Sequence, residues 1–117
     1  MYVLGFKAFY ERKMGIIGIG TDLIHISRIS KIYSRYGERF LRKAYSPFEI
    51  QLFDEKYKLH KNKGEEYLAS RWAIKEATYK VLHQSNIGWI PFYDIVTKYT
   101  PTGFKNVFHK CFKIIRE

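Results

Sequence analysis

The sequence predicts a compact α+β domain, and three stretches carry that prediction. Residues 16–22 combine β-branched isoleucines with alternating glycines, the pattern of a strand with one bare face. Residues 65–82 hold no Gly or Pro and are rich in Ala, Leu, Lys and Glu, which favours one long helix. Beyond Gly88, β-branched and aromatic residues are punctuated by turn formers, as in a run of short strands. Helices grouped before strands suit an α+β layering.

Residues 1–14 are aromatic and mildly basic, without the apolar stretch or small-residue cleavage site of a secretory signal. They read as a leader or disordered extension ahead of a single domain over residues 15–117. In the first strand Gly18, Gly20 and Asp22 share a face, so the Asp22 carboxylate ends a sterically open track. From Leu23 the period changes: Leu23, Ile26, Ile29, Ile32 and Tyr33 line one helix face that ends near Gly37. Arg28 and Arg35 lie seven residues apart on that helix, and Arg39, Arg42 and Lys43 follow, giving a basic ridge.

Ser46 as N-cap, Pro47 at the first helical position and Glu49 three residues after the cap predict a helix to about Tyr57. Residues 62–64 read as a polar loop. In the long helix that follows, Ala69, Ala73 and Ala77 form a small-residue stripe for close packing. Leu68, Trp72, Glu76 and Lys80 form the adjacent row, which passes from apolar core to charged rim. Strands are expected over 89–92 and 94–99, with a turn at 101–103 and a closing segment over 107–115 of either type.

Composition bounds the function. The chain has 117 residues, 46% hydrophobic and 18% aromatic, too apolar for disorder. With 21 Lys and Arg against 11 Asp and Glu, a net charge of +10 points to an anionic partner. The single cysteine, Cys111, excludes an intrachain disulfide and a Cys-rich zinc site. No apolar run is long enough for a helix to cross a bilayer, so a soluble protein without a membrane partner is expected. His25, His60, His83 and His109 show no metal-ligand spacing and are given no chemistry.

Two blocks, read together, are more specific than either alone. The first is Gly18-Ile19-Gly20-Thr21-Asp22-Leu23-Ile24 with Arg28-Ile29, and the second is Tyr67-Leu68-Ala69-Ser70-Arg71-Trp72-Ala73-Ile74-Lys75-Glu76-Ala77 with Lys80. Their order and spacing, with the Ser46-to-Glu49 helix start between them, resemble the holo-acyl-carrier-protein synthase family of 4'-phosphopantetheinyl transferases. The similarity is dense over residues 16–82 and not traceable after Gly103. It implies a 4'-phosphopantetheinyl transferase-like domain with an antiparallel sheet packed on a long helix, assembled as a homotrimer with sites between subunits.

The same resemblance implies a reaction. Magnesium would be bound by Asp22 and Glu76, and the 4'-phosphopantetheine of coenzyme A would pass to a serine of apo acyl carrier protein, in service of fatty acid biosynthesis. Adenosine 3',5'-bisphosphate would leave. Asp22, Glu76 and Lys80 are then the catalytic set, Arg71, Lys75 and Lys80 the coenzyme A contacts, and Arg28, Arg35, Arg39 and Arg42 the carrier-docking face. Such chemistry needs in-line positioning and charge neutralisation on a diphosphate, which a magnesium ion on one or two carboxylates and nearby cations supply.

Plainer roles stand beside these. Asp22 suits the N-cap of the next helix, and Glu76 with Lys80 suits an ordinary i, i+4 ion pair. The arginines suit a solvated helix face. The family's acidic residue at position 25 is His25 here, and its closing Ser-x-Ser/Thr-His strand is not recognisable, Phe108-His109-Lys110 being no match. The general base is therefore unassigned, and either the C-terminus has diverged from the family's closing strands or the sequence stops short of them. Competing classes are a basic nucleic-acid-binding module, with Tyr33, Tyr36 and Phe40 among arginines, and a non-catalytic relative of the family. No nucleic-acid partner is expected under the transferase reading. The abundance of Lys, Tyr, Phe and Ile suits an AT-rich genome, hence a bacterial cytoplasm or, in a eukaryotic parasite, an apicoplast-like plastid-type organelle.

Overall fold

The computed structural model describes residues 2–12, 15–84, 90–100 and 103–108, with side-chain surroundings over 22–81 and 90–96. Its order is β1 (Tyr2–Arg12), β2 (Gly15–His25), α1 (Ile26–Tyr36), α2 (Glu38–Ala44), α3 (Pro47–Leu59) and α4 (Lys61–Gln84). A 3-10 turn (Phe92–Asp94), β3 (Ile95–Thr100) and β4 (Gly103–Phe108) follow. The domain is mostly helical. Its strands form two antiparallel pairs, β1 with β2 and β3 with β4, rather than one continuous sheet among the described residues.

Tyr2–Arg12 is strand β1, paired along β2 with register shifts between Gly5 and Ala8 and between Tyr10 and Glu11. Its Val, Phe and Tyr content suits a strand, and β2 supplies the ladder that an isolated segment lacks. That pairing also carries β2 further than the sequence predicts: Leu4 opposes Leu23 and Val3 opposes Ile24, so extended backbone continues past Asp22 and α1 starts only at Ile26.

The cap of α1 is His25, whose Nδ1 accepts from the Ser27 N–H at 3.2 Å and is hydrogen-bonded to Ser27 Oγ at 2.6 Å. Gly37, at φ 54°, ends α1 with its N–H bonded to the Tyr33 carbonyl, a left-handed turn that suits glycine. Helix α3 opens as predicted. Ser46 Oγ accepts from the Glu49 N–H at 3.2 Å while Glu49 Oε1 accepts from the Ser46 N–H at 3.0 Å, behind Pro47.

The expected loop at 62–64 is helical. Helix α4 begins at Lys61 because α3 and α4 turn tightly at His60 and Gly64 packs on Tyr57, where an added Cβ would meet the Tyr57 Cβ at 2.8 Å. Helix α4 then runs against β1, β2 and α3. Its alanine stripe, Ala69, Ala73 and Ala77, has no exposed surface, as close packing requires. The core gathers Ile24, Ile29, Leu41, Tyr45, Phe53 and Leu68 around it.

Two further expectations change. The strand forecast over 89–92 gives way at its end to the 3-10 turn entered from Pro91, whose fixed φ of −60° suits a turn better than a ladder. The closing segment begins earlier, as β4, and whatever was expected beyond Phe108 lies outside the described residues, as do Trp89, Pro101, Thr102, His109 and Cys111.

Candidate active site at the rim of α4

Asp22 lies near the end of β2, and α4 crosses that strand. Along α4 the row Leu68, Trp72, Glu76, Lys80 emerges from the core: Leu68 is fully buried, Trp72 and Glu76 are half-buried and Lys80 is exposed. At its outer end Lys80 Nζ donates to Asp22 Oδ1 at 2.9 Å, joining residues 58 positions apart. The hydrogen bond and charge of Asp22 raise the Lys80 ammonium above its ordinary value, and Glu76 adds to the rise. Two carboxylates from distant segments therefore act on one ammonium.

This geometry settles the plainer role of Asp22. The N-cap of α1 is His25, three residues further on, so Asp22 is not spent on capping. The donor set fits magnesium by its chemistry: two hard carboxylates, a number that leaves coordination positions for water and phosphate oxygens. Among the described residues no three His, Cys, Asp or Glu side chains converge, so the protein alone offers no full cage for a metal ion.

Lys75 does not join this site. It is 1% exposed, and its ammonium donates to Glu49 Oε1 at 2.7 Å, the Phe92 carbonyl at 2.7 Å and the Ile95 carbonyl at 2.5 Å. An ammonium has three N–H donors, and here all three are used inside the protein. Burial pulls Lys75 below its ordinary value, while Glu49 acts to restore it. The expected coenzyme A contact at Lys75 is thus corrected to a clamp between α3, α4 and the entry to β3. A signal was present: Lys75 lies seven residues after buried Leu68, on the same inward face.

Arg71 lies elsewhere. It borders a 360 Å³ cleft with Ile26, Lys56, Lys63, Glu66, Tyr67 and Ser70. Its guanidinium stacks 4.7 Å from the Tyr67 ring centroid, and Lys56 Nζ is 5.8 Å from the same ring. Nine residues at about 100° each put Arg71 roughly half a turn round α4 from Lys80, so one copy of the chain does not bring them together. Lys56 and Lys63 are cations of this cleft to which the sequence pattern assigns no role.

Arg28 and Arg35 are exposed on α1, and Arg39 and Arg42 on α2. Arg42 pairs with Glu38 at 3.1 Å, a fully solvated bridge of little energetic weight. Between the helices a 380 Å³ groove is lined by Ile32, Tyr36, Phe40 and Trp72 and edged by Arg39 and Lys43. Tyr33 packs edge-on against Phe53 and Tyr57, and Phe40 packs against Tyr45 and Trp72. Two of the three aromatics proposed as base-stacking platforms are thus used inside the domain, and only Tyr36 is open.

The fold and the site together define a small domain with two carboxylates and an ammonium at one rim and a basic face on α1 and α2. A family model for the 4'-phosphopantetheinyl transferase superfamily matches residues 18–115, and the chain belongs to that superfamily. It is 36% identical over 95 residues to a holo-[acyl-carrier-protein] synthase of Halothermothrix orenii, covering 81% of this chain and 58% of that protein. The synthase of Wolbachia pipientis subsp. Culex pipiens is 45% identical over 67 residues, 57% of this chain and 52% of its own. That of Hydrogenovibrio crunogenus is 35% identical over 88 residues, 75% of this chain and 65% of its own. The chain spans about half to two thirds of the length of these relatives.

Proposed function

We propose that the protein transfers 4'-phosphopantetheine from coenzyme A to a serine of apo acyl carrier protein, releasing adenosine 3',5'-bisphosphate and serving fatty acid biosynthesis. The observation that carries the reading is the meeting of Asp22, Glu76 and Lys80 at one rim, from two blocks that both lie within the family match. Asp22 and Glu76 would hold magnesium. When bound, the ion neutralises charge on the diphosphate and helps orient the phosphorus for in-line attack. Lys80 holds a phosphate oxygen as a compact ammonium on a flexible stem. Half-buried Glu76 is fixed by a long helix whose alanine stripe leaves little room to shift.

Arg71, with Lys56 and Lys63, would hold the nucleotide end of coenzyme A. Because Arg71 and Lys80 face opposite ways on α4, a complete site takes Lys80 from one copy and Arg71 from a second, which supports the homotrimer expected from the family resemblance. Arg28, Arg35, Arg39 and Arg42 would meet an acidic face of the carrier protein, with the groove of Ile32, Tyr36 and Phe40 taking an apolar side chain. The bacterial relatives favour a bacterial cytoplasm, with a plastid-type organelle as the eukaryotic counterpart. No described helix is long and apolar enough to cross a membrane.

The test is direct. Apo acyl carrier protein incubated with the protein, coenzyme A and magnesium gains the mass of one phosphopantetheine, and Asp22→Ala and Glu76→Ala each abolish the gain. No gain with a competent carrier protein would defeat the reading. Retention of near-normal transfer by either variant would defeat the metal assignment.

A further inference from the structure

We propose that Lys80 is the resident cation of the Asp22 carboxylate, and that this contact makes the site accept a divalent cation together with a polyphosphate in preference to the bare ion. The inference rests on the transferase reading above and adds to it a coupling between the two ligands.

The two partners differ in freedom. Asp22 sits in β2, opposite Gly5 of β1, and its side chain is 17% exposed. Lys80 is 50% exposed and carries its charge at the end of a four-carbon stem, while the α4 residues beneath it, Ala73 and Ala77, are buried. When a second cation arrives, the lysine moves and the carboxylate stays. Lys80 Nζ lies 2.9 Å from Asp22 Oδ1, a charge-assisted hydrogen bond on an oxygen that a bound cation would also use.

A bare divalent ion must displace that ammonium and then remain beside it, positive against positive. A divalent ion that arrives on a diphosphate brings the acceptor oxygens onto which the displaced ammonium can turn. Lys80 thus gains a new partner in one case and loses its partner in the other. The difference is a coupling free energy between ion and polyphosphate, and linkage makes it reciprocal: the ion tightens coenzyme A binding by the same factor. A lysine that served only as a phosphate contact would leave the affinity for the bare ion unchanged.

The experiment is a titration of Mn²⁺, read from the loss of its free-ion electron paramagnetic resonance signal, with and without coenzyme A. It compares wild type, Lys80→Met, Lys80→Arg and Asp22→Asn, each checked for native circular dichroism. Lys80→Met is expected to bind Mn²⁺ alone at least about threefold more tightly than wild type, and to show a smaller gain when coenzyme A is added. Lys80→Arg, which keeps the cation, is expected to follow wild type. Equal or weaker binding of Mn²⁺ alone by Lys80→Met would overturn the proposal, as would an undiminished gain from coenzyme A. If Asp22→Asn binds Mn²⁺ as wild type does, the metal assignment itself fails, a result distinct from failure of the coupling.

Discussion

Two lysines five residues apart on α4 have opposite roles. Lys75 is buried, with its three donors spent on Glu49, Phe92 and Ile95, and it joins three parts of the chain. Lys80 is exposed, and its partner is a carboxylate at the end of an open strand face. The helix turn between them separates a buried ion pair that holds the fold from an exposed one at the rim. A polar residue within a motif-bearing helical block is thus not assigned by its block; its side of the helix decides.

The comparison is broken most sharply at the rim. Asp22→Ala or Glu76→Ala should lower transfer by about a hundredfold or more, the usual scale for losing preorganised charge stabilisation. Thermal melts of the same variants should stay close to wild type, because neither residue belongs to the buried core. A large fall in melting temperature would move these residues to the structural side.

On the buried side, Lys75→Met leaves the Glu49 carboxyl in the core without its cation, where Oε2 already has no partner among the described residues. Breaking a buried pair in this way costs about 3–5 kcal/mol. Urea unfolding measures it, and adding Glu49→Gln to Lys75→Met should recover part of the loss by removing the stranded charge. If the double variant is no more stable than the single, the pair is not coupled as the distances indicate.

Ala73→Leu overpacks the stripe between α4 and its neighbours and should cost about 1–3 kcal/mol. Lys80→Met, by contrast, removes only an exposed contact and should leave unfolding stability nearly unchanged. The same two regions differ in pH response. Burial, with lesser contributions from Glu49 and Tyr67, holds the Tyr45 phenol well above 10.0. Its folded value is raised, so its contribution to stability is complete below the unfolded value and declines as pH rises beyond it. Unfolding free energy measured from pH 9 upward should fall, and Tyr45→Phe should flatten that fall at the cost of the hydrogen bond to the Leu68 carbonyl.

Much of this was legible in the sequence, for local reasons. Ser46, Pro47 and Glu49 specify a helix start from four consecutive residues, and the alanine stripe with its row from Leu68 to Lys80 follows from helical spacing alone. What was not legible depends on pairing at long range. Strand β1 exists because β2 offers it a ladder, and the same ladder delays α1 to Ile26 and hands the cap from Asp22 to His25. Glu49 reads as a capping residue, and only the fold brings Lys75 onto the same carboxylate oxygen that caps the helix. Arg71 and Lys80 occur in one motif, yet their half-turn separation shows in the helix geometry rather than in the motif.

The claim at the centre is that the α4 rim opposite Asp22 is the reactive end of the domain. Intact-mass analysis of apo acyl carrier protein, incubated with coenzyme A, magnesium and either wild type or Asp22→Asn, tests it most directly. The account predicts one added phosphopantetheine with wild type and none in the same time with Asp22→Asn, whose shape is kept while its charge is lost. Equal transfer by the two proteins would contradict it.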